Sequence, residues 1–168
     1  MLSRVKVGTK QRFLPVVIFP VLVLRLNPAW ALASAPDSVF LMVSETADVV
    51  QKFAAHEVRE YLQQITGDHI GLGDDQAVHH IYVGQTPARA PARDVGKLRD
   101  ELQTLAQDGF LIHSVGPDVV IPGKGSRGTL YGCYAFLERQ GVRWFFPGKQ
   151  YEVVPHHALN WHPRLEVS

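Results

Sequence analysis

The feature that most constrains this chain is one stretch near its C-terminus, residues 127–148, RGTLYGCYAFLERQGVRWFFPG. Leu130, Cys133, Tyr134 and Leu137 recur there at i, i+3, i+4 and i+7, which places them on one face of a helix. Gly141 follows the last apolar turn, where a residue able to take a left-handed conformation ends a helix. Residues 142–146, VRWFF, have the β-branched and aromatic content of a buried strand, stopped by Pro147-Gly148. Just upstream, DVVI at 118–121 reads as a second short strand ending at Pro122-Gly123. The order strand, Gly-rich turn, helix, strand concentrates apolar material that the rest of the chain has to cover.

Elsewhere helices alternate with strands. VFLMV at 39–43 is a continuous apolar run and the expected first strand. Ser44 or Thr46 is placed to cap the helix that follows, with Asp48 in its first turn. On that helix Val50, Phe53, Ala54, Val58, Tyr61, Leu62 and Ile65 share one face and Lys52, Arg59, Glu60 and Gln63 the other, with Gly67 as the stop. Residues 68–78 read as a polar hairpin region, and 80–83, HIYV, as the next strand. Residues 88–97 read as a loop leading into a short helix at 98–105, and 110–115 with 119–121 as an antiparallel hairpin. The fold class is α/β or α+β, one small mixed sheet packed by two main helices.

The C-terminal stretch, continued by YEVVP at 151–155, resembles the accessory α/β domain that precedes the catalytic barrel in α-glucuronidases and related bacterial glycosidase-like proteins. A more distant similarity is to the non-catalytic domain 2 of β-hexosaminidases. AAHEVREYLQQITG at 54–67 and IYVGQTP at 81–87 resemble earlier blocks of the same domain in the same order, so the resemblance covers residues 39–163. It implies a non-catalytic role in this chain, because the catalytic carboxylates of those enzymes lie on the barrel. It also implies a barrel or another carbohydrate-active domain as partner, with polysaccharide as the material acted on. The competing expectations are a piece of a glycoside hydrolase acting on glucuronoxylan, and a carbohydrate-binding module.

The N-terminus has the pattern of an export signal. Arg4, Lys6, Lys10 and Arg12 precede an apolar run at 13–24, and Ala31-Leu32-Ala33 supplies a signal peptidase site. The run is short for a membrane span and contains Pro15 and Pro20. The division that follows is a signal at 1–33, the domain at 34–163 and a tail at 164–168. The expectation is an exported protein that begins at Ser34, periplasmic or extracellular, with no membrane attachment after cleavage; the alternative is that the apolar run stays uncleaved as an anchor. Lys and Arg number 17 against 16 Asp and Glu, a balance that points away from a nucleic-acid partner. Cys133 is the single cysteine, so no intrachain disulfide forms, and its place on the apolar face makes it a buried, inert thiol.

Glu57 falls inside the apolar arc of its helix, where a carboxylate needs a partner. As a catalytic acid or base it would need a cleft and normally a second carboxylate. As a structural ion-pair partner it needs one arginine, and Arg127 and Arg143 flank the neighbouring helix. The structural pair is the expectation, with no catalytic residue assigned. Phe146, Tyr151 and Trp161 are the candidate contacts for a partner or a sugar ring. GKGSRG at 123–128 fits neither a phosphate loop nor a dinucleotide fingerprint and reads as a turn opening a helix. His79-His80, His156-His157 and His162 lack a metal-ligand spacing, and no serine has a nucleophile-elbow motif, so no metal and no cofactor is expected.

Overall fold

The computed structural model describes residues 39–73, 78–86 and 90–159. Residues 1–33, expected to be an export signal, and Trp161 lie outside these described residues. Strand β1 (Val39–Val43) leads into helix α1 (Val49–Thr66), β2 (Gly71–Leu72) and β3 (His79–Val83). Helix α2 (Ala92–Thr104) then precedes β4 (His113–Val115) and β5 (Asp118–Ile121). Helix α3 (Ser126–Arg139) is followed by β6 (Arg143–Trp144) and β7 (Glu152–Val153).

Five strands form one mixed sheet in the order β2-β1-β3-β5-β4. β2, β1, β3 and β5 run parallel, and β4 pairs antiparallel with β5 at the edge. Strand alternation explains the layering. Leu41 stands opposite Ile81, and Ile81 opposite Val119; this fully buried row lies in the core shared with α1 and α3. The intervening row, Met42, Tyr82 and Val120, packs with Leu98 of α2. The sheet is therefore covered by α1 and α3 on one face and by α2 on the other. Burial on both faces accounts for the continuous apolar reading of the strands.

Asp48, rather than Ser44 or Thr46, caps α1. Its carboxylate accepts from the N–H groups of Val50 and Gln51, both at 2.9 Å, and the Gln51 side chain accepts from the Asp48 N–H at 3.3 Å. This is a capping box. Ser44 and Thr46 instead hydrogen-bond one another in the preceding turn, 2.9 Å apart. At the other end Gly67, at φ 75°, donates its N–H to the Gln63 carbonyl. Phe53, expected on the buried face, is 49% exposed. The helical arc that meets the sheet is narrower than the apolar arc of the sequence, and Phe53 falls past its rim.

Three further expectations are corrected. Residues 71–72 form a parallel edge strand beside β1 where a hairpin was expected. The helix expected at 98–105 is the longer α2, Ala92–Thr104, so three helices pack the sheet. The buried strand expected at 142–146 is only partly realised: Val142 enters the core, Arg143–Trp144 pair with β7 in a separate ribbon, and Phe145 and Phe146 stand exposed. The cause is the Schellman turn ending α3, in which Val142 N–H bonds to the Leu137 carbonyl and Gly141 N–H to that of Glu138. It directs the chain away from the sheet after Val142. Among the described residues no helix is long and apolar enough to cross a membrane.

Candidate functional site

The β6–β7 ribbon is fastened to α1 and α3 by aromatic and carboxylate side chains. Trp144 of β6 stands edge-on to Tyr61 of α1 and to Tyr134 of α3, each at 5.3 Å between ring centroids. Its indole N–H donates to the Tyr61 hydroxyl at 2.8 Å, and that hydroxyl donates to Glu152 of β7 at 2.9 Å. The Tyr134 hydroxyl donates to Glu57 at 3.0 Å. Helix periodicity brings this about: Glu57 and Tyr61 are four residues apart, hence one above the other on α1. Burial, reinforced by the Glu57 carboxylate, pushes the Tyr134 phenol above its ordinary range, and burial likewise raises Tyr61. Both hydroxyls therefore stay protonated, as hydrogen-bond donors, at neutral pH. The arrangement is a clamp that fixes the ribbon.

Glu57 thus takes a partner other than the arginines expected of it. Arg127 pairs with Asp108 at 2.7 Å, and Arg143 donates to the carbonyls of Glu138 and Val142 at 2.6 and 2.7 Å. Half-burial explains the exchange, since a carboxylate that keeps some contact with water needs a donor more than a full countercharge. Tyr134 was already on the helix face read from the sequence, but nothing local in the sequence pairs it with Glu57.

The ribbon presents apolar side chains outward. Phe146 is 68% and Tyr151 46% exposed, with ring centroids 5.5 Å apart, and Phe145 and Val153 are exposed beside them in sequence. The turn at 123–128 is occupied by structural contacts. Lys124 donates to the Gln103 and Leu105 carbonyls at the end of α2, and the Ser126 hydroxyl donates to Asp48. Gly128 permits close packing there, because a Cβ at that position would lie 2.5 Å from the Gly109 carbonyl oxygen.

Cys133 is buried, and burial pushes its thiol far above the range in which a thiolate forms. His80 is wholly buried, its ring nitrogen 3.2 Å from Asp118. His157, on the tail the sequence left open, ties that tail down: its N–H donates to the Ile65 carbonyl, and its ring nitrogens meet the carbonyls of Ala158 and Gln140. Among the described residues no three His, Cys, Asp or Glu side chains are grouped to hold a metal ion.

Residues 31–136 match the family described as Glycosyl hydrolase family 67 N-terminus. The chain belongs to that family. Its relatives include Alpha-glucuronidase A of Emericella nidulans, 33% identical over 107 residues, a match covering 61% of this chain and 12% of the relative. Probable alpha-glucuronidase A of Neosartorya fischeri is 32% identical over 115 residues, covering 64% and 13% respectively. The family 67 N-terminal chain thus spans about an eighth of the length of these curated relatives. Among solved structures, a GH138 enzyme targeting pectin rhamnogalacturonan II aligns with a TM-score of 0.41 at 13% identity, over 62% of this chain and 13% of the enzyme.

Proposed function

We propose that this chain is a non-catalytic accessory domain of an α-glucuronidase-like, carbohydrate-active protein, and that it packs through the β6–β7 ribbon against a catalytic domain. The observation that carries the reading is the outward Phe146–Tyr151 pair on a ribbon whose other side is clamped to α1 and α3. Aromatic side chains held rigidly at a surface give contact area at little entropic cost, which is how interface anchors work. The family match supports the carbohydrate-active setting. The partner is a catalytic barrel, the material degraded is glucuronoxylan or a related plant polysaccharide, and the domain at 34–163 is exported after removal of 1–33.

A second reading, a carbohydrate-binding module, draws on the same pair, since exposed aromatic rings also stack on sugars. One experiment separates the two. The chain is titrated with the remaining portion of Alpha-glucuronidase A from Emericella nidulans and, separately, with glucuronoxylan fragments. The accessory reading expects saturable binding to the protein, weakened at least tenfold by Phe146→Ser combined with Tyr151→Ser, and no turnover of aryl glycosides by the chain alone. Binding to the fragments alone favours the module, and turnover by the chain rejects both.

A further inference from the structure

A separate cleft opens beside the first half of α1, at the carboxyl ends of two parallel strands. Val43, the last residue of β1, and Leu72, the last of β2, both line it. Its volume is about 530 Å³, inside the range of roughly 300–1,000 Å³ usual for small-molecule sites. The carboxyl ends of the strands are the end of an open parallel sheet at which ligands are held.

The lining is divided in character. Ala55 and the exposed Leu72 give an apolar floor. Lys52, His56 and Arg59, at i, i+4 and i+7, place three basic side chains along one face of α1. Arg59 Nε donates to the Ile70 carbonyl at 2.9 Å, which anchors the guanidinium and leaves its terminal N–H groups to act as a fixed fork. Among the described residues no carboxylate comes within ion-pair distance of Lys52, His56 or Arg59. Among the described residues Glu45 is the one acid in the lining, beside the permanent charges of Lys52 and Arg59, and the Asp48 carboxylate lies near enough to Lys52 to interact with it.

We propose that this cleft binds a small organic carboxylate with a partly apolar body. The carboxylate pairs with Arg59, with Lys52 and His56 alongside, and the body lies on Ala55 and Leu72. A guanidinium fork matches a planar carboxylate. The small net charge and apolar floor disfavour a compact, strongly hydrated dianion such as phosphate. This site is independent of the ribbon and of the accessory role proposed above.

The test is an amide-resonance titration of the full ¹⁵N-labelled chain with benzoate, with benzyl alcohol as its neutral counterpart, and with inorganic phosphate. Benzoate is expected to shift residues 44–59 and 71–72 saturably, and Lys52→Glu to weaken that binding at least tenfold. Lys52 is exposed and Lys52→Gln serves as the milder second variant, expected to act in the same direction. Equal shifts with benzyl alcohol, tighter binding of phosphate, benzoate shifts confined to other residues, or affinity unchanged in both variants would each overturn the proposal.

Discussion

The indole N–H of Trp144 donates to the hydroxyl of Tyr61 at 2.8 Å, joining the ribbon to a helix residue 83 positions earlier. The same hydroxyl donates to Glu152, so one oxygen serves both strands of the ribbon. Tyr61→Phe removes that oxygen and leaves a half-buried indole N–H without its acceptor. The expected loss is about 1–3 kcal/mol in urea unfolding. Hydrogen exchange is expected to rise first at residues 143–153, because the ribbon meets the core through Trp144 and these bonds.

Glu57 accepts from a neutral phenol instead of pairing with a guanidinium. Its removal strands a phenol donor but no charge, and Glu57→Ala is expected to cost about 1–3 kcal/mol, below the roughly 3–5 kcal/mol of a broken buried ion pair. Glu57→Gln keeps an acceptor for Tyr134 and is expected to cost less than Glu57→Ala. Denaturation midpoints of the two variants check the order, and a larger loss for Glu57→Gln would contradict it.

Asp48 links the starts of two helices, accepting from Ser126 as well as from its own helix. The Ser126 hydroxyl first, and the Gln51 N–H next, hold its carboxyl below the ordinary 3.8. A group depressed on folding contributes stability that is fully present above 3.8 and is lost as pH falls through the lower folded value. Wild-type stability is therefore expected to drop over this acid range, with a smaller drop in Asp48→Asn. Thermal melts between pH 5 and the acid limit of folding provide the check.

His157 titrates in the opposite sense. Its Nδ1 meets the Ala158 carbonyl at 2.6 Å and its Nε2 the Gln140 carbonyl at 2.8 Å; only the doubly protonated ring donates at both. These bonds, Ala158 first, raise its pKa above the ordinary 6.5. The contribution is fully present below 6.5 and is lost as pH rises through the raised folded value. Amide exchange of residues 157–159, corrected for its intrinsic pH dependence, is expected to speed up across that window in the wild type and not in His157→Gln.

Much of this fold was legible before any coordinates. β1, α1 with its Gly67 stop, β3, the β4–β5 hairpin and α3 follow from short continuous apolar runs, the 3.6 period and glycine punctuation, signals carried within a few residues. β2 was missed because two residues, Gly71-Leu72, are too few to show a period. The first half of α2 reads as loop because only Leu98 of that helix is buried, leaving little apolar signal. At the site, the sequence offers Phe146 and Tyr151 as candidate contacts, and both are exposed. The partner of Glu57 lies 77 residues away and depends on how α1 and α3 cross. That geometry is a tertiary outcome that no local pattern encodes.

The shared placement of α1 and α3 on one face of the sheet also sets an order of events during synthesis. α1 connects two neighbouring strands near the start of the domain, whereas α3 follows β5 and is made last of the three helices. Until α3 arrives, the side of α1 that carries Val58 and Leu62 has only part of its cover. A nascent chain halted before Phe136 and Leu137 therefore presents an adhesive half-core, the kind of surface that recruits holding chaperones or coalesces with its neighbours. Solubility of the growing chain is decided late, when one helix closes over another.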